Sequence, residues 1–339
     1  MARPTIRDIA AVAGVSPAAV SFALNSRPGI SAATRERILE VANQMGWTPN
    51  AAARALSASR AHAVGLVIER PQTSYSSERF FFDLMVGIQS RLKRAELDLV
   101  LQMVQTLDEE MDTYRAWYSQ KRVDGVIVVN PRSNDPRTVV LGELGLPAVF
   151  IGEPAQGFGS VVSNDSAMMR TLAEHLMEAG ARRIAYLCGS GSLVHIQRRQ
   201  RTLSRFGAQH GVDVVIASET DYTERSAQAE TTQLLRSPAR PDAIIFDNEV
   251  LALGGTQAIT ATGLKVGIDV ITASCEDSPI CRVLNPPITS IARSPAAMGE
   301  HAAQLLVSML EGESARNFAE DVPRLVVRES SQLITQSSE

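Results

Sequence analysis

The sequence predicts a small all-α head followed by a large α/β body with parallel sheets. Two short apolar-periodic runs flank Gly14-Val15-Ser16 in TIRDIAAVAGVSPAAVSFALN (5–25). From Ala63 onward, apolar runs alternate with amphipathic stretches, the pattern of strands joined by crossover helices. The charge is also uneven: residues 1–60 carry seven Arg and three acids, +4, which leaves −8 for the rest of a chain of net charge −4. A basic head on an acidic body points to nucleic acid at the head.

The head is read from its caps. Thr5 followed three residues later by Asp8 is a capping box, and Ile6, Ile9, Ala10 and Ala13 recur at helical spacing. Gly14 stops that helix by taking positive φ. Ser16 caps the next helix and Pro17 suits its first turn, with Val20 and Leu24 turned inward. A third helix starts at Ser31 and carries Ile38, Leu39, Val41 and Ala42 before Gly46. None of these helices is long enough to persist alone, so they must pack together, and two of them joined by a tight glycine turn match a helix-turn-helix. Its second helix enters the major groove N-terminal end first. Here that end offers Ser16, Pro17, Ala18 and Ser21, with Asn25 beyond, and Thr5 is counted with them as a DNA-facing residue. Ala18 suits a thymine methyl, and Ser21 suits a base edge or phosphate. With no Arg or Lys on this helix, direct readout is modest.

TIRDIAAVAGVSPAAVSFALN, followed by SAATRERILEVANQMGWTPNAAARALSASRAHAVGLV, resembles the lactose-repressor/galactose-repressor (LacI/GalR) family of bacterial transcription regulators over nearly the full chain. The resemblance implies a homodimer that binds double-stranded operator DNA of palindromic sequence and responds to a small-molecule effector, most commonly a sugar or sugar derivative. It divides the chain into a helix-turn-helix domain (1–47), a hinge helix (48–61) and a two-lobed, periplasmic-binding-protein-like body (62–339). By itself TPNAAARALSASR (48–60) reads as an Ala/Ser linker or a weak helix capped by Asn50. The resemblance makes it a hinge helix in the minor groove, with Ala53 and Arg54 at groove and backbone. Leu56 becomes an apolar wedge, and such wedges offset unstacking by kinking the duplex.

In the body, VGLVIE (64–69), DLVLQM (98–103), DGVIVVN (124–130), PAVFIG (147–152), RIAYLCG (183–189) and DAIIFDN (242–248) read as buried parallel strands. Helices are expected over 83–95, 108–121, 166–180 and 250–263. Ligands of such folds sit beyond the carboxyl ends of the strands. On the resemblance, the effector candidates are Asn130, Asp165, Arg199, Tyr222, Asn248, Glu249 and Glu276, with Phe81, or its neighbour Phe80, as a cover from the long first loop. The set suits a polyol: amides and carboxylates exchange hydrogen bonds with hydroxyls, Arg donates in a fork, and an aromatic covers the sugar's apolar face. There are departures from the family pattern. Thr202 and Leu203 replace a glycine and an aromatic, Glu249 and Glu276 replace aspartates, and Cys275 replaces an aromatic. Asn164-Asp165 reverses the usual order and Met168 replaces a glycine. These changes favour a smaller or differently shaped ligand, with a nucleobase or other small metabolite as the alternative.

Other classes fit poorly. Cys188-Gly-Ser-Gly-Ser lacks the Lys-Ser/Thr of a phosphate loop. The five histidines show no metal spacing, and His195 reads as a solvated loop residue. No catalytic residue, cofactor or metal is expected, and an enzyme is not. The three cysteines read as free thiols in a reducing compartment. MARPTIRD lacks the apolar core of a signal peptide and the apolar runs are too short to span a bilayer. A bacterial cytoplasmic protein, nucleoid-associated when on its operator, is therefore expected. A solute-binding protein without a DNA role is the remaining alternative. The tail PRLVVRESSQL carries no leucine heptad, so a dimer is expected and not a coil-joined tetramer.

Overall fold

The computed structural model describes residues 4–24, 28–47, 60–70 and 79–332. The chain divides into two compact units, Met1–Ala61 and His62–Glu339. Apart from Arg60 and Ala61, the expected hinge segment lies outside the described residues.

The first unit is three helices, α1 (Ile6–Ala13), α2 (Pro17–Leu24) and α3 (Ala32–Gln44). The capping box at α1 forms: Thr5 Oγ1 accepts from the Asp8 amide, and Asp8 Oδ2 accepts from the Thr5 amide at 2.7 Å. The Thr5 hydroxyl, then the Thr5 amide, both donating to the Asp8 carboxylate, hold it below its usual range. Gly14, at φ 64°, ends α1 in the left-handed region, and α2 leaves at 105° to it. Ser16 and Ser31 cap α2 and α3, their hydroxyls accepting from Ala19 and Thr34 amides at 3.2 Å. Ile9, Ala10, Ala13, Val20, Ala23, Ile38 and Ala42 close the core. Leu24 is only half-buried, and Leu39 faces out.

The second unit is two lobes, each around a six-stranded sheet. The first lobe runs β1 (Ala63–Glu69), α4 (Arg79–Arg94), β2 (Asp98–Val104), α5 (Leu107–Ser119), β3 (Gly125–Val128), α6 (Pro136–Leu144), β4 (Ala148–Gly152) and β5 (Gly159–Val162). The second lobe runs α7 (Asp165–Glu178), β6 (Arg183–Leu187), α8 (Val194–His210), β7 (Asp213–Ile216), α9 (Glu224–Arg236), β8 (Ala243–Phe246), α10 (Glu249–Ala261), β9 (Ile271–Ser274), α11 (Pro279–Val283) and β10 (Thr289–Ala292). The chain returns to the first lobe with α12 (Pro295–Leu310) and β11 (Asn317–Ala319), then ends in the second with β12 (Arg324–Val326). The sheet orders are β11-β5-β4-β3-β1-β2 and β12-β10-β9-β8-β6-β7, parallel throughout except that β12 runs antiparallel to β10. Three crossovers therefore join the lobes: 163–164, 293–294 and 320–323.

All six expected strands are present. In all but the edge strand β2, whose Leu101 is exposed, their Val, Ile and Leu side chains are buried between the helices on the two faces, each such burial contributing about 1.5–3 kcal/mol. The other six strands are only three or four residues long, too short for a periodicity to show, and β5, β9 and β10 also carry Ser, Thr or Gly. Helix α4 begins at Arg79, four residues before the expected start, its first turn adding Phe80, Phe81 and Phe82 and an Arg79–Asp83 ion pair at 3.0 Å. It crosses α12 at backbone contact. A Cβ on Gly87 would lie 1.8 Å from the Ala296 carbonyl oxygen, and one on Gly299 2.2 Å from that of Leu84.

Candidate functional site

On the head, Ser16, Pro17 and Ala18 are exposed at the start of α2 and Ser21 is half-buried. Thr5 is exposed, its hydroxyl engaged with Asp8. Asn25, Asn50, Ala53, Arg54 and Leu56 lie outside the described residues.

In the body, the carboxyl ends of both sheets face one cleft. Its walls include Arg70 after β1, Asn130 after β3, Gly152 at the end of β4, and Ser163 and Asp165 after β5. From the second lobe come Asp247 and Asn248 after β8, Glu276 after β9 and Arg293 after β10. Phe80 and Phe81 of α4, His195 and Arg199 of α8, Tyr222 and Met298 complete it. Of the expected effector residues, Phe81, Asn130, Asp165, Arg199, Tyr222, Asn248 and Glu276 meet here. Glu249 does not line the cleft. It is buried, and its Oε1 accepts from the Arg79 amide at 3.0 Å. It thus joins the start of α10 to the start of α4 across the lobes, and a carboxylate suits that helix N-terminus.

Arg199 is the pivot. Its Nε and Nη2 donate to Asp165 Oδ1 at 2.9 and 2.7 Å, and its Nη1 donates to Asp247 Oδ1 at 2.5 Å. Asp247 also accepts from the Tyr222 hydroxyl at 2.8 Å and from Tyr186, and Ser163 donates to Asp165. Burial pushes both carboxyls up, but the facing cations, Arg199 first, bring Asp165 down to about 2 and Asp247 below its usual range. Burial, then the negative charge of Glu249, pushes Glu276 well above the usual carboxylate range.

His195 is not a solvated loop residue. It sits in the first turn of α8 against the cleft, where burial and then the Arg199 charge lower it to about 4. Arg198 is half-buried and reaches the first lobe, pairing with Glu153 and donating to the Ser163 carbonyl at 3.2 Å.

Two amides are held with a donor to spare. Asn248 caps α10, its Oδ1 accepting from the Leu251 amide at 3.0 Å. Asn130 sits at φ 53° with its carbonyl bonded to Arg137 at 2.9 Å. Arg137 is itself buried between Glu110 and Asp135, at 2.9 and 2.6 Å. The Nδ2 atoms of Asn130 and Asn248 are buried with no hydrogen-bond partner among the described residues.

Arg293 connects cleft and crossovers. Its Nε and Nη2 donate to the two oxygens of Glu320, each at 2.8 Å, and Glu320 Oε2 also accepts from the Asn164 amide at 3.1 Å. One buried carboxylate thus ties all three crossovers together.

Arg70, Asp247, Arg293 and Glu320 were not singled out by sequence reasoning. Asp247 and Arg293 each end or follow a short apolar strand, the one local sign they give. The glycines of Cys188-Gly-Ser-Gly-Ser serve packing. A Cβ on Gly189 would lie 2.0 Å from the Tyr222 ring, and the Gly191 amide donates to Glu219 at 2.8 Å. Among the described residues no cluster could hold a metal ion, and no single helix is long and apolar enough to cross a membrane.

The sequence pattern of bacterial regulatory proteins of the lacI family matches residues 5–50, and that of the periplasmic binding protein-like domain matches residues 173–331. The chain is 30% identical over 312 residues to the HTH-type transcriptional regulator AglR of Rhizobium meliloti, covering 89% of this chain and 86% of that one. The structure of a complex between the transcriptional regulator CelR and cellobiose is 26% identical, with a TM-score of 0.72 over 97% of this chain and 100% of that chain. The lac repressor dimer, solved on its operator with the anti-inducer ONPF, shares the fold. Its TM-score is 0.83 over 97% of this chain and 99% of that chain, at 24% identity. Head, two-lobed body and near full-length relatives agree: the chain belongs to the lacI family of bacterial regulatory proteins, transcriptional regulators with a helix-turn-helix head and an effector-binding body.

Proposed function

We propose that this chain is an effector-responsive repressor of carbohydrate-utilisation genes, acting as a homodimer on a palindromic operator. Ser16, Pro17, Ala18, Ser21 and Asn25 face the major groove, with Thr5 at the flank. Residues 48–61 enter the minor groove, Leu56 as the wedge, beside Asn50, Ala53 and Arg54. A sugar or sugar derivative occupies the interlobe cleft against Phe81, Asn130, Asp165, Arg199, Tyr222, Asn248 and Glu276. Ligand alters lobe closure, and closure alters how the dimer meets DNA. The coupling is reciprocal, so operator and effector change each other's affinity by the same factor.

The observation that carries this reading is the pair of buried, unpartnered amide donors on opposite lobes, Asn130 Nδ2 and Asn248 Nδ2. Buried donors left unmade are costly, and a ligand spanning the lobes would satisfy both. A second reading keeps the regulator and replaces the sugar with a nucleobase or other small metabolite. Cys275, buried next to Glu276 in place of an aromatic, favours it.

The test selects an operator from random duplexes and measures its binding by fluorescence anisotropy, with and without cellobiose and a nucleobase panel. Leu56→Ala is expected to weaken operator binding while leaving ligand affinity of the DNA-free protein nearly unchanged. Equal operator affinity of the two proteins would remove the wedge. The basic head predicts affinity that falls steeply with salt.

A further inference from the structure

Taking the cleft as the effector site, its polar atoms are unequally committed. Most of the acceptors are taken, Glu276 and Asn130 Oδ1 apart. Asp165 is bonded by Arg199 and Ser163, Asp247 by Arg199, Tyr186 and Tyr222, and Asn248 Oδ1 by the Leu251 amide. The donors are not. Asn130 Nδ2 and Asn248 Nδ2 have no partner. Arg293, 6% exposed, spends Nε and Nη2 on Glu320, while the nearest carboxylate oxygen to its Nη1, on Asp165, is 3.9 Å away, beyond hydrogen-bond range. These three donors come from the first lobe, the second lobe and a crossover, and line one cavity.

The aromatic wall is also unlike a sugar platform. The Arg70 guanidinium lies 4.9 Å from the Phe81 ring centroid and 5.2 Å from that of Tyr222, a cation already on those faces. A neutral hydroxyl donates as readily as it accepts and would find few free acceptors here. An anionic oxygen only accepts, and bonds to guanidinium and amide donors are stronger when charge-assisted.

We propose that the effector is an acidic carbohydrate whose carboxylate or phosphate is taken by Arg293 with the Asn248 amide, the sugar reaching Asn130 across the cleft. The anion is taken by donors and not by an excess of positive charge: Arg70, Arg199 and Arg293 balance Asp165, Asp247 and Glu320, and Glu249 is engaged by the Arg79 amide at the α4 N-terminus. Burial, then the Glu249 charge, pushes Glu276 well above the usual carboxylate range, so it opposes an anion less than an ordinary carboxylate would.

The test is calorimetric titration of the full chain with glucuronate, gluconate, glucose 6-phosphate, glucose and cellobiose. At least one acid is expected to bind ten-fold or more tighter than glucose, and Arg293→Gln is expected to cut that preference to within three-fold. Because Arg293→Gln strands Glu320, the pair Arg293→Gln with Glu320→Gln is measured beside it and is expected to lose the same preference while staying folded. Preference for the carboxylates or for the phosphate identifies which anion Arg293 takes. Neutral sugars binding as tightly as the acids, or no binding by any of the five, overturns the inference. Operator binding is followed on the same samples. An operator response to a neutral sugar removes the acidic effector and keeps the regulator, whereas acid preference without operator binding removes the regulator and keeps the acidic ligand.

Discussion

The head and the cleft are built from opposite materials. Seven apolar residues and no charges close the head, and its helix caps, Thr5, Ser16 and Ser31, work at the surface and reach three residues along the chain. The cleft buries its charges and joins them over distance: Arg199 meets Asp165 and Asp247, 34 and 48 positions away in sequence. In the head each polar residue is replaceable at modest cost, because water covers what a cap leaves. In the cleft each charge depends on its partners, because removing one leaves the others buried and uncompensated.

Four perturbations test that contrast, taken from the largest effect down. Trp117 is buried in the body and Trp47 packs on the head, so fluorescence reports each unit, the head alone in a Trp117→Phe background. Arg199→Met is expected to destabilise the body by about 3–5 kcal/mol, since it strands two buried carboxylates. A loss under about 1 kcal/mol in urea unfolding would break the comparison. Ile9→Ala opens a cavity in the head and is expected to cost about 2–5 kcal/mol there, with the Trp117 transition unmoved.

The third perturbation sharpens the electrostatic side. His195 titrates near 4 in the folded protein and near 6.5 unfolded. Between those values the unfolded chain binds the extra proton, so stability falls as pH falls, by up to about 1.4 kcal/mol per pH unit. His195→Gln is expected to flatten that part of the stability–pH curve, and an unchanged slope assigns the proton elsewhere. Last, Thr5→Ala removes the α1 capping box and is expected to cost the head about 1 kcal/mol, with no change in any property of the cleft.

The Thr5–Asp8 box, the Gly14 stop and the Ser16 and Ser31 caps were legible in the sequence because each is a contact within one helical turn. Six strands were legible because their apolar runs are long enough to read without partners. The four-residue strands TSIA and ITAS were not, since their burial comes from neighbours in the sheet. Within the cleft, Arg199 and Glu276 were found through family resemblance. Arg293 and Glu320 look like ordinary surface charges until three crossovers bring them together.

The sequence by itself determined the local elements and the division into a basic helical head and an acidic α/β body, because capping and periodicity act over a few residues. Only the tertiary structure decided that Glu249 bridges lobes instead of lining the cleft, that His195 stays neutral, and that Arg293 keeps a donor free. Those properties depend on burial and on partners distant in the chain, and both are set when the two sheets face each other.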